Sequence, residues 1–394
     1  MPRKFLSGDE AVAEGIRLAQ PDVISAYPIT PQTVTVERLS EFVANGELES
    51  HYMYVESEHS ALAAAIGVSA AGARAFTATS SQGLLYMAEC LTYASGGRFP
   101  IVMMNANRAT ALPWNIYGDQ RDSIALLDHG WIQAYAEDAQ EALDLCLMAY
   151  KIAEHPDVLT PFMINLDGFA LTHTFESVDV PDNKDALDFV GRYEAFNCFS
   201  FDEPKNIGYS AGPAYNKYFK YDEHLGMNCA LKVIDEVERD FEARFGRSYP
   251  GALESYRMED TELCILTLGS ISGLVRECVD IARERGIKLG LIKLRYLRPL
   301  PSGQLAQALA GIKALCVLEK DISFGAEGTV FTNIKSVLYD YKIELECFNV
   351  IAGLGGDDIL PQDIKQIVNT LVDISHNKPY KRLQFLGIDT LQEG

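Results

Sequence analysis

Short apolar runs alternate with segments of helical periodicity along most of the chain, and this alternation restricts the fold more than any other feature. In the first part, the apolar runs lie at 23–27, 52–55, 73–78, 101–104 and 162–165, and the helical segments at 33–43, 60–72 and 80–91. The pattern predicts an α/β fold with a mostly parallel sheet. Ligands of such sheets bind at the carboxyl ends of the strands. Polar residues that directly follow the runs are therefore the candidates for a functional site.

A second α/β series begins after a less regular stretch. Its apolar runs lie at 263–268, 288–294, 314–319 and 344–349. Prolines and glycines interrupt the pattern from about residue 177, and an amphipathic helix is predicted over 231–245. The sequence thus predicts two domains, the first over 1–255, with an irregular connector from about 177, and the second over 256–394.

The chain is strongly acidic, with Lys+Arg 34 against Asp+Glu 55 and a net charge of −21. This balance argues against a nucleic-acid partner, whose phosphates need a basic face. The longest apolar runs are far shorter than the roughly 20 residues that cross a bilayer. The first residues also lack the apolar core of a signal peptide. We therefore expect a cytoplasmic protein without a membrane partner.

Eight cysteines are scattered along the sequence, and none of them forms a Cys-x-x-Cys pair. Iron–sulfur clusters and structural zinc sites usually take clustered thiolates. Several of the cysteines lie inside apolar runs, where a reduced cysteine acts as a small hydrophobic residue. We expect no metal site in this chain.

The segment 27–31, Tyr-Pro-Ile-Thr-Pro, directly follows the first apolar run. Its two prolines restrict the backbone on both sides of Thr30, so that the hydroxyl is aimed from the carboxyl end of a strand. A rigid turn would explain the same residues without any function. Thr30 is therefore a candidate that needs support from other segments.

Glu58 stands between an apolar run and a helix whose first turns consist largely of alanine and glycine. A carboxylate in such a tight, apolar setting is a candidate for proton chemistry. A carboxylate in the first turn of a helix also complements the helix dipole, which is a purely structural explanation. The residues at 79–83, Thr-Ser-Ser-Gln-Gly, enter another helix, where small hydroxyl residues either bind an anion or simply cap the helix.

Arg108 follows the run at 101–104 and precedes a loop that contains proline and tryptophan. An arginine at the carboxyl end of a strand is suited to receive a carboxylate, because its planar fork matches two carboxylate oxygens. A surface salt bridge is the alternative explanation for this arginine.

Together these segments resemble the α subunit of pyruvate:ferredoxin oxidoreductase and its 2-oxoacid relatives. The resemblance rests on Tyr-Pro-Ile-Thr-Pro at 27–31, Glu-x-Glu-His-Ser at 56–60, Thr-Ser-Ser-Gln-Gly-Leu at 79–84, and Asn-Arg-Ala…Pro-Trp-Asn-Ile-Tyr-Gly-Asp-Gln at 107–120. It continues through Asn-Leu-Asp-Gly-Phe at 165–169, Leu-Arg-Pro-Leu-Pro at 297–301 and Ile-Ala-Gly-Leu-Gly-Gly at 351–356. The motifs occur in order over nearly the whole chain.

The resemblance implies a thiamine-diphosphate-binding fold of the pyrimidine type, followed by an α/β domain like the transketolase C-terminal domain. It implies that the Glu58 carboxylate bonds to N1′ of the aminopyrimidine and so promotes loss of the thiazolium C2 proton. Thr30 and Arg108 match substrate contacts of the family, with Arg108 pairing the 2-oxoacid carboxylate. Further pyrimidine contacts are expected from Pro28, Ile29, Ser81 and Gln82.

Thiamine enzymes hold Mg²⁺ and the diphosphate with a Gly-Asp-Gly motif, which this sequence lacks. Gly-Asp occurs at Gly8, Gly118 and Gly356, each time without a following glycine. The chain is thus expected to offer only the pyrimidine half of the cofactor site. A β-type subunit would hold Mg²⁺ and diphosphate, and γ- and δ-type subunits would carry [4Fe-4S] clusters.

The implied reaction is oxidative decarboxylation of a 2-oxoacid with coenzyme A to acyl-CoA and CO₂. Leu112 stands where pyruvate enzymes carry a smaller residue, which leaves pyruvate and a bulkier or aromatic 2-oxoacid as alternatives. A phenylglyoxylate-type subunit that passes electrons to NAD through a flavin subunit, instead of to ferredoxin, is one competing interpretation. A non-redox thiamine-dependent transferase subunit is another, and a scaffold with a degenerate site is a third.

Overall fold

The computed structural model of the chain describes residues 2–204, 206–208 and 210–388. The strands in chain order are β1 (Arg3–Ser7), β2 (Val23–Ala26), β3 (His51–Tyr54), β4 (Ala75–Thr79), β5 (Val102–Asn107), β6 (Ile132–Tyr135), β7 (Phe162–Asp167), β8 (Phe175–Asp179), β9 (Leu253–Tyr256), β10 (Leu263–Thr267), β11 (Leu289–Leu294), β12 (Tyr296–Arg298), β13 (Ala314–Glu319), β14 (Glu346–Ile351) and β15 (Leu383–Phe385).

The helices connect these strands and cover the sheets. In chain order they are α1 (Gly8–Ala19), α2 (Thr33–Ala44), α3 (Glu58–Ala70), α4 (Ser81–Tyr86), α5 (Ala88–Gly96), α6 (Arg121–Ile124), α7 (Ala139–Ala153), α8 (Asn183–Val190), α9 (Pro213–Phe245), α10 (Ile271–Glu284), α11 (Ser302–Leu309), α12 (Thr329–Asp340) and α13 (Pro361–Ser375). A short 3₁₀ helix follows β14 at Leu354–Gly356.

The first large sheet has seven strands in the order β12-β6-β7-β5-β4-β2-β3. All neighbours pair in parallel except β12, which runs antiparallel to β6. Strands β4, β5 and β7 are buried on both faces. This explains their nearly continuous apolar sequences, because helices cover both sides of a central parallel strand. The pattern at the start of the chain therefore gives a doubly covered parallel sheet.

The second sheet has six strands in the order β15-β14-β13-β10-β11-β9. It is parallel except for β9, which pairs antiparallel with β11 at the edge. The predicted domain boundary at residue 255 falls within β9. The division of the chain into two domains at this residue stays a prediction. The predicted second domain extends to 394, and its residues 389–394 lie outside the described residues.

The two sheets are connected by the chain between β11 and β12 and by buried ion pairs. Strand β12 follows β11 in the chain but pairs with β6 of the first sheet. Beside it, the Glu141 carboxylate accepts from Lys293 Nζ at 2.8 Å and from Arg295 Nε at 2.5 Å. Burial opposes the charge on Glu141, but the two cations outweigh it and lower its pKa to about 2. This buried ion cluster fixes the second sheet against the first, because leaving one of its charges unpaired would be costly.

The connector is more regular than the sequence predicts. Strand β8 forms a two-stranded antiparallel ribbon with β1, and α9 begins at Pro213, well before the predicted helix over 231–245. Residues 212–222 are exposed, so the first turns of α9 have no buried face. Periodicity cannot reveal a helix that buries no apolar stripe. The helix predicted over 80–91 is two helices, α4 and α5, separated at Met87.

Candidate active site

Four loops meet at one edge of the first sheet. They follow strands β2, β3, β4 and β5. In the sheet these four strands lie side by side, in the spatial order β3-β2-β4-β5. Because these strands are parallel, their carboxyl ends lie at the same edge. The loops carry Thr30, Glu58, Ser81 and Arg108 respectively. The topology thus brings the residues singled out in the sequence to one place.

Glu58 is the first residue of α3, which Ser57 caps by accepting a hydrogen bond from Ser60 N at 3.2 Å. Its side chain reaches across to the start of α4. A Cβ atom added at Gly83 would lie 2.7 Å from Glu58 Oε1 and 2.7 Å from Thr79 Oγ1. A side chain larger than glycine at this position would therefore force the Glu58 or Thr79 side chain to shift.

Arg108 directly follows β5, and only 5% of its surface is exposed. Its Nη1 donates to the Thr30 carbonyl oxygen at 2.7 Å, whereas the buried Nε has no hydrogen-bond partner. Burial lowers the pKa of Arg108, while the charges of Asp122 and Glu58 act in the opposite direction. The guanidinium lies 5.9 Å from the centre of the exposed Trp114 ring. Arg108 thus retains an unused donor for an anion.

Thr30 lies in the loop after β2, where Pro28 and Thr30 are exposed and Ile29 is half-buried. Its backbone carbonyl, and not its hydroxyl, bonds to Arg108. The buried Gln32 holds the loop in place by donating from Nε2 to the Tyr27 carbonyl at 2.9 Å. The Thr30 hydroxyl therefore remains available at the edge, next to the arginine.

Ser81 and Gln82 begin α4, but the Ser81 hydroxyl is engaged within the chain. It lies 2.7 Å from the Ala109 carbonyl oxygen and 2.6 Å from Gln82 Oε1. Ser81 also has a φ of 50°, a left-handed conformation that is uncommon outside glycine. These contacts join the loop after β4 to the loop after β5. A direct contact of either residue with a cofactor stays a prediction.

Three neighbouring hydroxyls at the end of β4 have no hydrogen-bond partner although they are buried. They belong to Thr77, Thr79 and Ser80. Buried polar groups are normally paired, so unpaired ones at a sheet edge indicate a bound group or water. The Nε atom of Arg108, at the end of the neighbouring strand β5, is likewise buried without a partner.

Asp122 is the main functional candidate that the sequence did not reveal. It is fully buried and accepts hydrogen bonds from the backbone N–H groups of Ser81 at 3.0 Å and Arg108 at 3.1 Å. Burial raises the pKa of Asp122 to about 6, against the opposing effect of these bonds and of Asn107. Asp122 lies in α6, a helix of a single turn that is too short to show periodicity, so no local pattern distinguishes it from the nearby Asp119.

The second domain supports the loop that follows Arg108. Asn115 Nδ2 donates to the Gly355 carbonyl at 2.8 Å, and Gly355 N donates to Asp119 Oδ2 at 2.9 Å. A Cβ at Gly356, where φ is 81°, would lie 2.3 Å from Tyr117 Cβ. Close approach therefore requires glycine in this turn. The loop presents Leu112 and Trp114, which are 87% and 69% exposed, at the rim of the site.

A crevice of about 480 Å³ lies between the two sheets beside this loop. At its wall the Asp167 carboxylate accepts from Ser270 N at 2.9 Å and from Lys320 Nζ at 3.0 Å. Ser270 and Lys320 follow β10 and β13, between which the order of connections in the second sheet reverses. Such a switch point commonly binds a ligand. Here the Asp167 carboxylate, at the end of β7 in the first sheet, lies at the switch point and pairs with Lys320.

Two features of the whole chain bear on the type of site. Within the described ranges, no three His, Cys, Asp or Glu side chains lie together as a metal site would require. Among the same residues, no helix combines the length and the apolar character that crossing a membrane demands.

Solved structures show the class of fold. A 2-oxoglutarate:ferredoxin oxidoreductase from Magnetococcus marinus, solved with 2-oxoglutarate, coenzyme A and succinyl-CoA bound, matches with a TM-score of 0.73 at 21% identity. The match covers 94% of this chain and 65% of that longer chain. An inactive β4 tetramer of a split-gene transketolase matches with a TM-score of 0.51 at 13% identity over 94% of this chain. The chain thus shares its fold with a 2-oxoglutarate:ferredoxin oxidoreductase and with a transketolase.

Two family descriptions match the chain in order. Residues 14–239 match the thiamine diphosphate-binding domain of pyruvate flavodoxin/ferredoxin oxidoreductase, and residues 261–364 match core domain II of pyruvate:ferredoxin oxidoreductase. The pyruvate synthase subunit PorA of Methanothermobacter thermautotrophicus is 45% identical over 93% of this chain and 95% of its own length. The ketoisovalerate oxidoreductase subunit VorA of Pyrococcus horikoshii is 42% identical over 94% of this chain and 93% of its own.

The chain belongs to the pyruvate flavodoxin/ferredoxin oxidoreductase family, as its thiamine diphosphate-binding α-type subunit. The resemblance drawn from the motifs, the α/β fold class and the enzyme class are thereby confirmed. The relatives do not favour the phenylglyoxylate-type or the non-redox transferase interpretation.

Proposed function

We propose that this chain supplies the pyrimidine half of a thiamine diphosphate site in a coenzyme A-dependent 2-oxoacid:ferredoxin oxidoreductase. The observation that carries the proposal is the placement of Glu58 and the buried, partly unpaired Arg108 at one sheet edge. The first suits the aminopyrimidine and the second suits the substrate carboxylate. Within a cytoplasmic complex, the substrate is pyruvate or a bulkier 2-oxoacid.

The residues around Glu58 fit the pyrimidine end of the cofactor. The Glu58 side chain packs against Gly83, and the buried Thr79 hydroxyl, which also borders Gly83, lacks a hydrogen-bond partner. Thiamine diphosphate, when bound, would supply the nucleophilic carbon and the electron sink that decarboxylation of a 2-oxoacid requires. Glu58 holds a proton at the N1′ atom of the aminopyrimidine, as a general acid–base group must.

Arg108 acts on the substrate. Its Nη1 is held by the Thr30 carbonyl, so the guanidinium is oriented before any ligand arrives. The unpaired Nε would complete its hydrogen bonding when the carboxylate of a 2-oxoacid binds. The Thr30 hydroxyl is placed to contact the same substrate. In such a complex, γ- and δ-type subunits would hold the iron–sulfur clusters that accept the two electrons, and coenzyme A would accept the acyl group.

The outer face of α3 supports the need for a partner. This helix carries apolar or small residues on every side, yet Ala63 and Gly67 are exposed. A helix that is apolar all round is normally buried on all sides. Exposed Tyr86 and Tyr93 lie on the neighbouring helices. We propose that a β-type subunit, which holds the Mg²⁺ and the diphosphate, covers this face and completes the site.

The native complex tests the proposed function. It is purified, its subunits are identified, and a panel of 2-oxoacids is assayed with coenzyme A and a viologen dye. We expect dye reduction that requires a 2-oxoacid, coenzyme A and thiamine diphosphate, together with co-eluting iron and a chain that carries Gly-Asp-Gly. Turnover without coenzyme A, or a complex that lacks iron, would favour the transferase class instead.

The Gly83→Ala substitution should impair the enzyme without removing any functional group. The added Cβ would meet Glu58 Oε1 and Thr79 Oγ1 at 2.7 Å each, so the carboxylate must move. Displacement of a reacting group by about 1 Å can cost about 10²-fold in rate, and we expect a fall in kcat of that order. Gly303→Ala in α11 is the matched control, since only Tyr341 Oη lies near its Cβ, at 3.6 Å. Equal kcat values for the two variants would contradict the placement of Glu58.

A further inference from the structure

We infer that Asp122 is a positioning residue that ties the substrate side of the site to the cofactor side through one buried carboxylate. The inference rests on the proposed function, because it assigns Arg108 to the substrate and Glu58 to the cofactor. Asp122 itself would touch neither ligand.

The contacts of Asp122 connect two loops. Its Oδ2 accepts from the backbone N–H of Ser81 at 3.0 Å and from that of Arg108 at 3.1 Å. Its Oδ1 accepts from Asn107 Nδ2 and from the Ser123 N–H, both at 2.8 Å. The same oxygen atom therefore holds the residue that starts α4 and the arginine that follows β5.

The donor set calls for a charged carboxylate. Every atom within hydrogen-bond distance of Asp122 is a donor: three backbone N–H groups and the side-chain amides of Asn105 and Asn107. An asparagine at 122 would turn an NH₂ group toward some of these donors. The donors on that side would then lose their acceptor. Because the position is fully buried, each unmade hydrogen bond would lower the stability of the local structure.

The strain at Ser81 links Asp122 to Glu58. Ser81 has a left-handed φ of 50°, and Asp122 accepts its N–H. Gly83, two residues further along α4, lies against the Glu58 side chain. Relaxation of Ser81 would shift the start of α4 and widen or close the gap at Gly83. Loss of the bond to the Arg108 N–H would release the guanidinium at the same time.

The test uses Asp122→Asn in the assembled complex with two readouts. The KM for pyruvate or 2-oxoisovalerate reports on Arg108, and the rate of C2 proton exchange of bound thiamine diphosphate, without substrate, reports on Glu58. Because an unmade buried hydrogen bond costs enough for about a tenfold effect, we expect the KM to rise and the exchange rate to fall by about tenfold each.

Asp144→Asn is the matched control. Asp144 lies on α7 and is also fully buried. Its carboxylate accepts hydrogen bonds from Arg247 and Tyr249, and from neither Ser81 nor Arg108. This variant should lower the Tm while both readouts stay within about twofold of the wild type, as expected for well-separated sites. If Asp122→Asn does not assemble, Asn107→Ser is measured, since it removes one donor to Asp122 and should shift both readouts in the same direction.

The outcomes separate the inference from the proposed function. An active wild type whose Asp122→Asn variant keeps both constants, or changes only one of them, overturns the shared positioning role. Equal changes in Asp144→Asn would also overturn it, because the effect would then follow from lost stability. A wild-type complex that turns over no 2-oxoacid overturns the proposed function instead.

Discussion

Glu58→Gln should leave thiamine diphosphate bound but nearly abolish turnover. Glutamine keeps the size of the side chain that packs against Gly83, so we expect this substitution to leave the packing at the start of α3 and α4 unchanged. It cannot hold and release a proton at N1′, and a positioned acid–base group is worth about 10²–10⁴-fold. We expect kcat to fall by that amount, with a parallel fall in the C2 proton exchange of the bound cofactor, measured by deuterium incorporation.

Glu56→Gln is the control for this substitution. Glu56 lies two residues away, is exposed, and accepts from Ser60 Oγ at 2.6 Å. The same chemical change there should leave the exchange rate within about twofold, as for most surface substitutions. Normal turnover in Glu58→Gln would remove Glu58 from the mechanism, and loss of cofactor binding would give it a purely structural role.

Arg108→Ala should lower kcat/KM for the 2-oxoacid by about 10²–10³-fold, mainly through KM. The guanidinium is buried and has an unpaired Nε, so its removal would leave the substrate carboxylate without this partner. Losing one partner of a buried charge pair costs about 2–5 kcal/mol, or about 30- to 5,000-fold, and the expected loss lies in the middle of this range. Steady-state kinetics of the assembled complex measure the effect.

Two further variants sharpen this prediction. Arg108→Lys keeps the charge but not the planar fork, so it should recover only part of the lost kcat/KM. Arg38→Ala, at a half-buried arginine that pairs with Glu41 on α2, should change kcat/KM little. If Arg108→Ala altered only the transfer of electrons to the dye, with KM unchanged, the substrate role would be wrong.

The sequence predicts the part of the fold that follows from buried parallel strands. Runs such as 101–104 and 162–165 are apolar because both faces of their strands are covered, and β5 and β7 lie where these runs are. Polar residues directly after such runs reach the carboxyl edge of the sheet by topology alone. Thr30, Glu58 and Arg108 could therefore be brought together before any coordinates were known.

Other features depend on contacts that no local pattern records. Helix α7 is buried on nearly all sides, so it has no amphipathic stripe, and the pairing of β12 with β6 joins residues far apart in the sequence. Asp122 is a candidate because the backbone N–H groups of Ser81 and Arg108 both donate to its carboxylate, a contact between three segments that are distant in the sequence. The free Nε of Arg108 is likewise a property of the packed molecule.

The structure of the assembled complex with thiamine diphosphate bound is the most direct test of the central claim, that Glu58 faces the cofactor's pyrimidine. We predict that the N1′ atom lies within hydrogen-bond distance of a Glu58 carboxylate oxygen, with the diphosphate on a partner subunit. A pyrimidine ring bound elsewhere, or a Glu58 side chain turned away from it, would contradict the account.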